Sequence, residues 1–189
     1  MQDIKLMIQS TPNPNALKFV LSVPVRSEGN VTYKKGEDCG ENALAKAVFE
    51  QSTGINEVYF FDNYITVTQN GETDWDDLEE KIRKTILEKV KDHNPNFQYT
   101  PPQRELPEAA PSNDPKVAQI NAILDETVRP ALQMDGGDIR VIDYENNVLK
   151  VFYQGACGSC PSSSMGTLKA IENILRDGFN PEITVELAA

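Results

Sequence analysis

IRVIDYENNVLKVFYQGACGSCP, residues 139–161, sets the architecture of the C-terminal half. Ile139 to Tyr144 and Val148 to Tyr153 are rich in β-branched and aromatic residues, and the short Glu145-Asn146-Asn147 turn between them reads as a hairpin. Immediately after the second strand come Cys157 and Cys160, and Pro161 suits the first position of a helix. That helix runs from Pro161 to Arg176, with Met165, Leu168, Ile171 and Leu175 on its buried side. Upstream, Asp114-Pro115 caps and opens a helix whose stripe is Val117, Ile120, Ile123, Leu124, Val128 and Leu132, and which Pro130 kinks or ends. Ile183 to Leu187 closes the sheet. The order is α-β-β-α-β, with the cysteine pair where a strand hands over to a helix.

Working outward, six of the twelve prolines fall between His93 and Pro115 among polar and small residues, which predicts an extended linker. The expected division is a first domain over 1–92, a linker over 93–115 and a second domain over 116–189. In the first domain, Ile4 to Gln9 and Ala16 to Val23 read as strands around the turn Thr11-Pro12-Asn13-Pro14-Asn15, and Val31 to Tyr33 as a weaker third. Asn42 to Glu50 is a short helix, and Ile55 to Phe61 with Tyr64 to Thr68 a hairpin about Asp62-Asn63. Thr73 or Asp74 caps a long helix carrying Trp75, Leu78, Ile82, Ile86 and Val90 at helical spacing. Both domains are therefore α+β, the first with its helices on one face of a sheet.

Composition excludes several function classes. The net charge is −11 with no clustered Lys and Arg, which argues against nucleic acid or an anionic membrane as a partner. No apolar run approaches the roughly 20 residues of a membrane span, and Met1 does not open a secretory signal. The expected location is cytoplasmic, or an organelle matrix if a transit peptide has been removed. An odd three cysteines, two of them spaced for metal or redox work, fit a reducing compartment. Neither a phosphate-cradling GxxxxGK[ST] nor a dinucleotide GxGxxG segment occurs, and a single histidine, His93, does not serve a triad, so an enzyme is not expected.

The chemistry therefore rests on Cys157 and Cys160. Two thiolates two residues apart grip a soft metal and leave its shell incomplete, and a second copy of the chain is the cheapest source of two more. A thiolate at a helix start is favoured by the dipole and the free amides, with Cys160 as the N-cap and Cys157 in the loop above it. Gly155 and Gly158 let the backbone approach a large ligand, and Ser159, Ser162, Ser163 and Ser164 offer hydroxyls to sulfur or cap the helix. Three readings stand: a shared iron-sulfur cluster, a zinc site that needs the same dimer, and a thiol redox centre. Asp135 and Asp138 are turn residues rather than ligands, because carboxylates are hard donors. Cys39 is a small, half-buried thiol. Tyr59, Phe60 and Phe61 are core.

Met134-Asp135-Gly136-Gly137-Asp138 followed by Gly155-Ala156-Cys157-Gly158-Ser159-Cys160-Pro161 resembles the C-terminal domain of NifU-like (Nfu-type) iron-sulfur scaffold and carrier proteins. Thr11-Pro12-Asn13-Pro14-Asn15-Ala16-Leu17-Lys18-Phe19 is similar to the N-terminal domain that accompanies it in one branch of that family. The resemblance implies a homodimer that holds a labile 4Fe-4S cluster, or a 2Fe-2S one, between two CxxC pairs. It also implies delivery to apo iron-sulfur client proteins and contact with other cluster-assembly proteins. Cys157 and Cys160 carry over as the cluster and metal ligands, and Cys39 lies outside the motif.

Overall fold

The computed structural model describes residues 4–99, 114–158 and 163–188. The chain divides into two compact units, Met1–Pro102 and Gln103–Ala189, each α+β.

In the first unit, β1 (Leu6–Ser10), β2 (Ala16–Leu21), β3 (Asn30–Lys34), β4 (Ile55–Phe61) and β5 (Tyr64–Gln69) form one antiparallel sheet in the order β1-β2-β5-β4-β3. Register brings Ile8, Phe19, Ile65, Phe60 and Val31 into one row across all five strands. Because side chains alternate faces along a strand, that row is the core face. α1 (Ala43–Phe49) and α2 (Trp75–Lys89) lay Leu44, Val48, Leu78, Ile82 and Ile86 on it. Asp74 caps α2 by accepting from the Asp76 amide. The Trp75 indole donates to the Pro14 carbonyl at 3.1 Å, and with Asn13 buried the Thr11–Asn15 turn is pinned to the body of the unit.

The stretch expected to start the linker is folded for its first seven residues. After a single 3-10 turn at Val90–Asp92, the His93 ring stacks on Phe60, Phe97 enters the core, and the Tyr99 hydroxyl donates to the Thr32 carbonyl at 3.0 Å. The Arg26 guanidinium lies 4.6 Å from the centre of the Phe97 ring and donates to its carbonyl. The prolines of this stretch masked its aromatic content: His93, Phe97 and Tyr99 fill the gap that Tyr33 and Phe60 leave at that edge of the core. Phe60 is core as expected, whereas Tyr59 is buried on the other face of the sheet and Phe61 is half-buried.

The second unit opens with α3 (Pro115–Thr127), capped by Asp114, whose carboxylate accepts from the Lys116 amide at 2.8 Å. Its helix thus begins one residue before the expected boundary. α3 breaks at Val128, which keeps a stretched helical conformation (φ −108°, ψ −51°), and α4 (Arg129–Met134) follows with Pro130 in its first turn, where the missing amide costs least. β6 (Gly137–Glu145) and β7 (Val148–Gly155) form the hairpin, and Asn146 and Asn147 both take positive φ in its turn, as a tight hairpin requires. α5 (Ser163–Gly178) then leads to β8 (Thr184–Leu187), which pairs parallel to β7. Ile139, Val141, Leu149, Val151 and Tyr153 share the face that α3 and α5 cover with Ile120, Leu124, Ile171 and Leu175. Glu172 fastens α5 to β8, accepting from the Val185 amide and from Arg176. No helix among the described residues is long and apolar enough to cross a membrane.

Candidate functional site

The end of the β6–β7 hairpin positions Cys157. Gly137 pairs with Gly155, and Gly155 takes φ +60°, turning the chain off β7. The Ala156 amide donates to the Gly136 carbonyl at 3.2 Å and the Gly158 amide to the Gly155 carbonyl at 3.0 Å. Cys157 is held between these two bonds, and its side chain turns inward, 6% exposed, into the second unit's core.

Gly137 makes that seat possible. A Cβ placed on it would lie 2.5 Å from the Cys157 sulfur, 2.9 Å from its Cβ and 2.7 Å from the Gln154 carbonyl oxygen. The sequence reading gave Gly136-Gly137 to a tight turn. Gly136, with φ +80°, serves the turn, while Gly137 is a strand residue kept bare so that a sulfur can take the place of its side chain. Gly158 likewise differs from expectation: a Cβ there would meet the Tyr153 carbonyl at 3.1 Å, so its smallness packs the turn against β7 rather than opening the backbone to a ligand.

Tyr153 stands two residues before Gly155 on the same face, opposite Ile139, and is buried. Burial first, and then the charge of a Cys157 thiolate, push its phenol up to about 12. Thr167 on α5 partly opposes this, yet no hydrogen bond of normal geometry satisfies the hydroxyl. Sequence reading treated Tyr153 as a strand residue only; the signal was a tyrosine where an inward strand position calls for a plain hydrocarbon.

Asp138 corrects a second expectation. It is a buried β6 residue rather than a turn residue, and its carboxylate accepts from the Ile139 amide at 2.7 Å. Arg129 at the start of α4 reaches it at 3.6 Å, donates to the Ile139 carbonyl at 3.2 Å and to the Asn121 side chain at 2.7 Å, and pairs with Asp125. One guanidinium therefore ties α3, α4 and the start of β6 together beside Gly137. This contact was invisible in sequence, because its partners run from Asn121 to Ile139 across a proline break.

Cys160, the proposed N-cap, lies outside the described residues, as do Ser159, Pro161 and Ser162, and the side chains of Ser163 and Ser164. Cys39 is half-buried against the first unit's core. Burial, and then the Asp38 and Glu37 carboxylates, hold its thiol above the usual range. The His93 Nε2–H donates to the Val25 carbonyl at 2.7 Å, and burial lowers its pKa. Both belong to the first unit's packing.

Two family models match the chain: the NifU-like domain over residues 120–186 and the N-terminal domain of scaffold protein Nfu/NifU over residues 6–93. The Homo sapiens protein named NFU1 iron-sulfur cluster scaffold homolog, mitochondrial, is 33% identical over 94% of this chain and 69% of its own length. The Drosophila persimilis protein of the same name is 33% identical over 94% of this chain. The chain spans 62% of that protein's length. Among solved structures, a NifU-like protein from Saccharomyces cerevisiae matches 48% of this chain and 84% of its own at 21% identity, with a TM-score of 0.44.

Proposed function

The chain belongs to the NifU-like, Nfu-type family, and from that premise we propose that it is a non-catalytic scaffold and carrier for an iron-sulfur cluster. Cys157 and Cys160 are its ligands, and a 4Fe-4S cluster bridges two copies of the chain. The observation that carries the reading is Cys157 seated at the β7 turn over a bare Gly137, one half of a two-thiolate pair. Thiolates are the soft donors that such a cluster takes, and two per chain make half of a four-thiolate site. A dimer follows from that count.

Delivery to apo-proteins follows from the same chemistry. A cluster held by one short loop from each of two chains has few protein contacts to retain it, and an incoming thiolate displaces its ligands by exchange. The relatives named as scaffolds are also named mitochondrial, so a reducing organelle matrix suits this role as well as the cytoplasm.

Anaerobic reconstitution with iron and sulfide tests the reading. The expected product is brown, with one cluster per two chains. Cys157→Ser and Cys160→Ser should each abolish loading, and Cys39→Ser should leave it intact. A colourless wild-type protein that retains zinc instead, or a full cluster in Cys157→Ser, would refute it. With cluster loading secured, activation of apo-aconitase in the presence of an iron chelator reads transfer.

A further inference from the structure

Among the described residues of the second unit, the Tyr153 hydroxyl is the one buried side-chain oxygen or nitrogen left without a hydrogen bond of normal geometry, the Thr167 hydroxyl on α5 making only a poor one. A buried hydroxyl in that state lowers stability, and phenylalanine would fill the same space without the cost. Its position suggests what the hydroxyl is for. Gly137, Ile139 and Val141 on β6 face the same way as Gly155, Tyr153 and Val151 on β7, and the Cys157 sulfur fills the empty side-chain place at Gly137, one step along that face from the Ile139–Tyr153 pair. Tyr153 and Cys157 belong to the same buried cluster.

We infer that the Tyr153 hydroxyl is a positioning donor for the cargo, giving its hydrogen bond to the anionic sulfur that appears at Cys157 when iron binds. The thiol of the empty protein is a weak acceptor, whereas an iron-bound thiolate or sulfide carries charge and accepts strongly. Hydrogen bonds to cluster sulfur are one of the means by which a protein tunes such a centre. The hydroxyl is thus unsatisfied in the empty state and satisfied in the loaded one, which biases the site toward holding its cargo. This rests on the cluster-carrier reading above.

Wild type and Tyr153→Phe are compared empty and loaded. Empty, Tyr153→Phe should have an equal or higher urea midpoint, since it removes a buried group with no well-formed hydrogen bond. Loaded, the iron-thiolate stretching bands of wild type should shift between H2O and D2O and those of Tyr153→Phe should not. Cluster loss to a chelator should be about tenfold faster in the variant, the effect of one hydrogen bond to a charged acceptor. An empty variant less stable than wild type would mean that the hydroxyl is structural, and would overturn the inference. So would loaded proteins with the same isotope response and the same rate of loss. A wild-type chain that takes up no cluster would overturn the function reading, and this inference with it; loading by both proteins without a difference overturns this inference alone.

Discussion

Substituting Gly137→Ala tests the geometry on which the site reading depends. Gly137 has no positive φ, so alanine is conformationally allowed there, and the loss of glycine's unfolded freedom would by itself stabilise the protein by about 0.5–1 kcal/mol. Against this stand contacts of 2.5 Å to the Cys157 sulfur and 2.7 Å to the Gln154 carbonyl oxygen. The sulfur can rotate away, but the carbonyl is part of β7 and yields only if the β6–β7 pairing opens at that end. Forcing a methyl into a packed site costs about 1–3 kcal/mol, and the immovable carbonyl puts this case in the upper part of the range. The net expectation is a loss of about 1–2 kcal/mol confined to the second unit. Urea unfolding separates the two units, because the chain's one tryptophan, Trp75, reports the first by fluorescence while far-UV ellipticity reports both. Fluorescence should keep its midpoint and the ellipticity transition of the second unit should move down. With Cys39 and Cys160 replaced by serine, alkylation of Cys157 should also speed up about 5- to 30-fold as its seat opens. Gly166→Ala is the control: its added methyl meets nothing within 4 Å on α5, and it should stabilise by about 0.5–1 kcal/mol. An unchanged second transition in Gly137→Ala, with unchanged alkylation, would refute the placement of Cys157 over Gly137.

Arg129→Ala should lower the second unit's urea midpoint by an amount corresponding to about 1–3 kcal/mol, since the buried Asp138 carboxylate and the Ile139 carbonyl each lose a donor. Arg129→Lys should recover only part of this, because an ammonium cannot span Asn121, Ile139 and Asp138 as the planar fork does. Full recovery by lysine would reduce the role to simple charge. For His93, burial depresses the folded pKa below 6.5, so the unfolded chain takes up the proton first as the pH falls. The first unit should therefore keep full stability above pH 6.5 and lose it progressively as the pH drops from there toward the lower folded value. His93→Phe should remove that part of the pH dependence of the Trp75 transition, and identical slopes in the two proteins would count against the buried, neutral ring.

Local pattern carried most of the fold. Both hairpins, the Asp74 and Asp114 caps, the break at Pro130 and the helical stripes of α2 and α3 rest on interactions within a few residues, and these leave a period or a turn residue in the sequence. The stretch from His93 misled because proline content speaks for an extended backbone, while what decides burial is a cavity built elsewhere. Phe97 has a place only because Tyr33 on β3 and Phe60 on β4 leave room for it, and nothing near residue 97 records that.

The site divides along the same line. The place of Cys157 between β7 and α5 was legible because its neighbours announce a strand-to-helix turn. Gly137, Tyr153 and Arg129 were not, since each acts through pairing register or through a contact across the unit. Register is the deeper cause: once Gly137 is set opposite Gly155, Ile139 must face Tyr153, and the bare position, the buried phenol and the sulfur fall on one side of the sheet. A shift of pairing by one residue would turn Gly137 and Tyr153 to opposite faces and leave Cys157 no seat. The hairpin turn at Asn146 and Asn147, at the far end of the strands from the cysteines, is therefore part of what builds the site. Its two positive-φ residues set the pairing from Glu145–Val148 to Asp143–Lys150, and the bulge between Val141 and Asp143 then slips it by one residue into the register that sets Gly137 opposite Gly155.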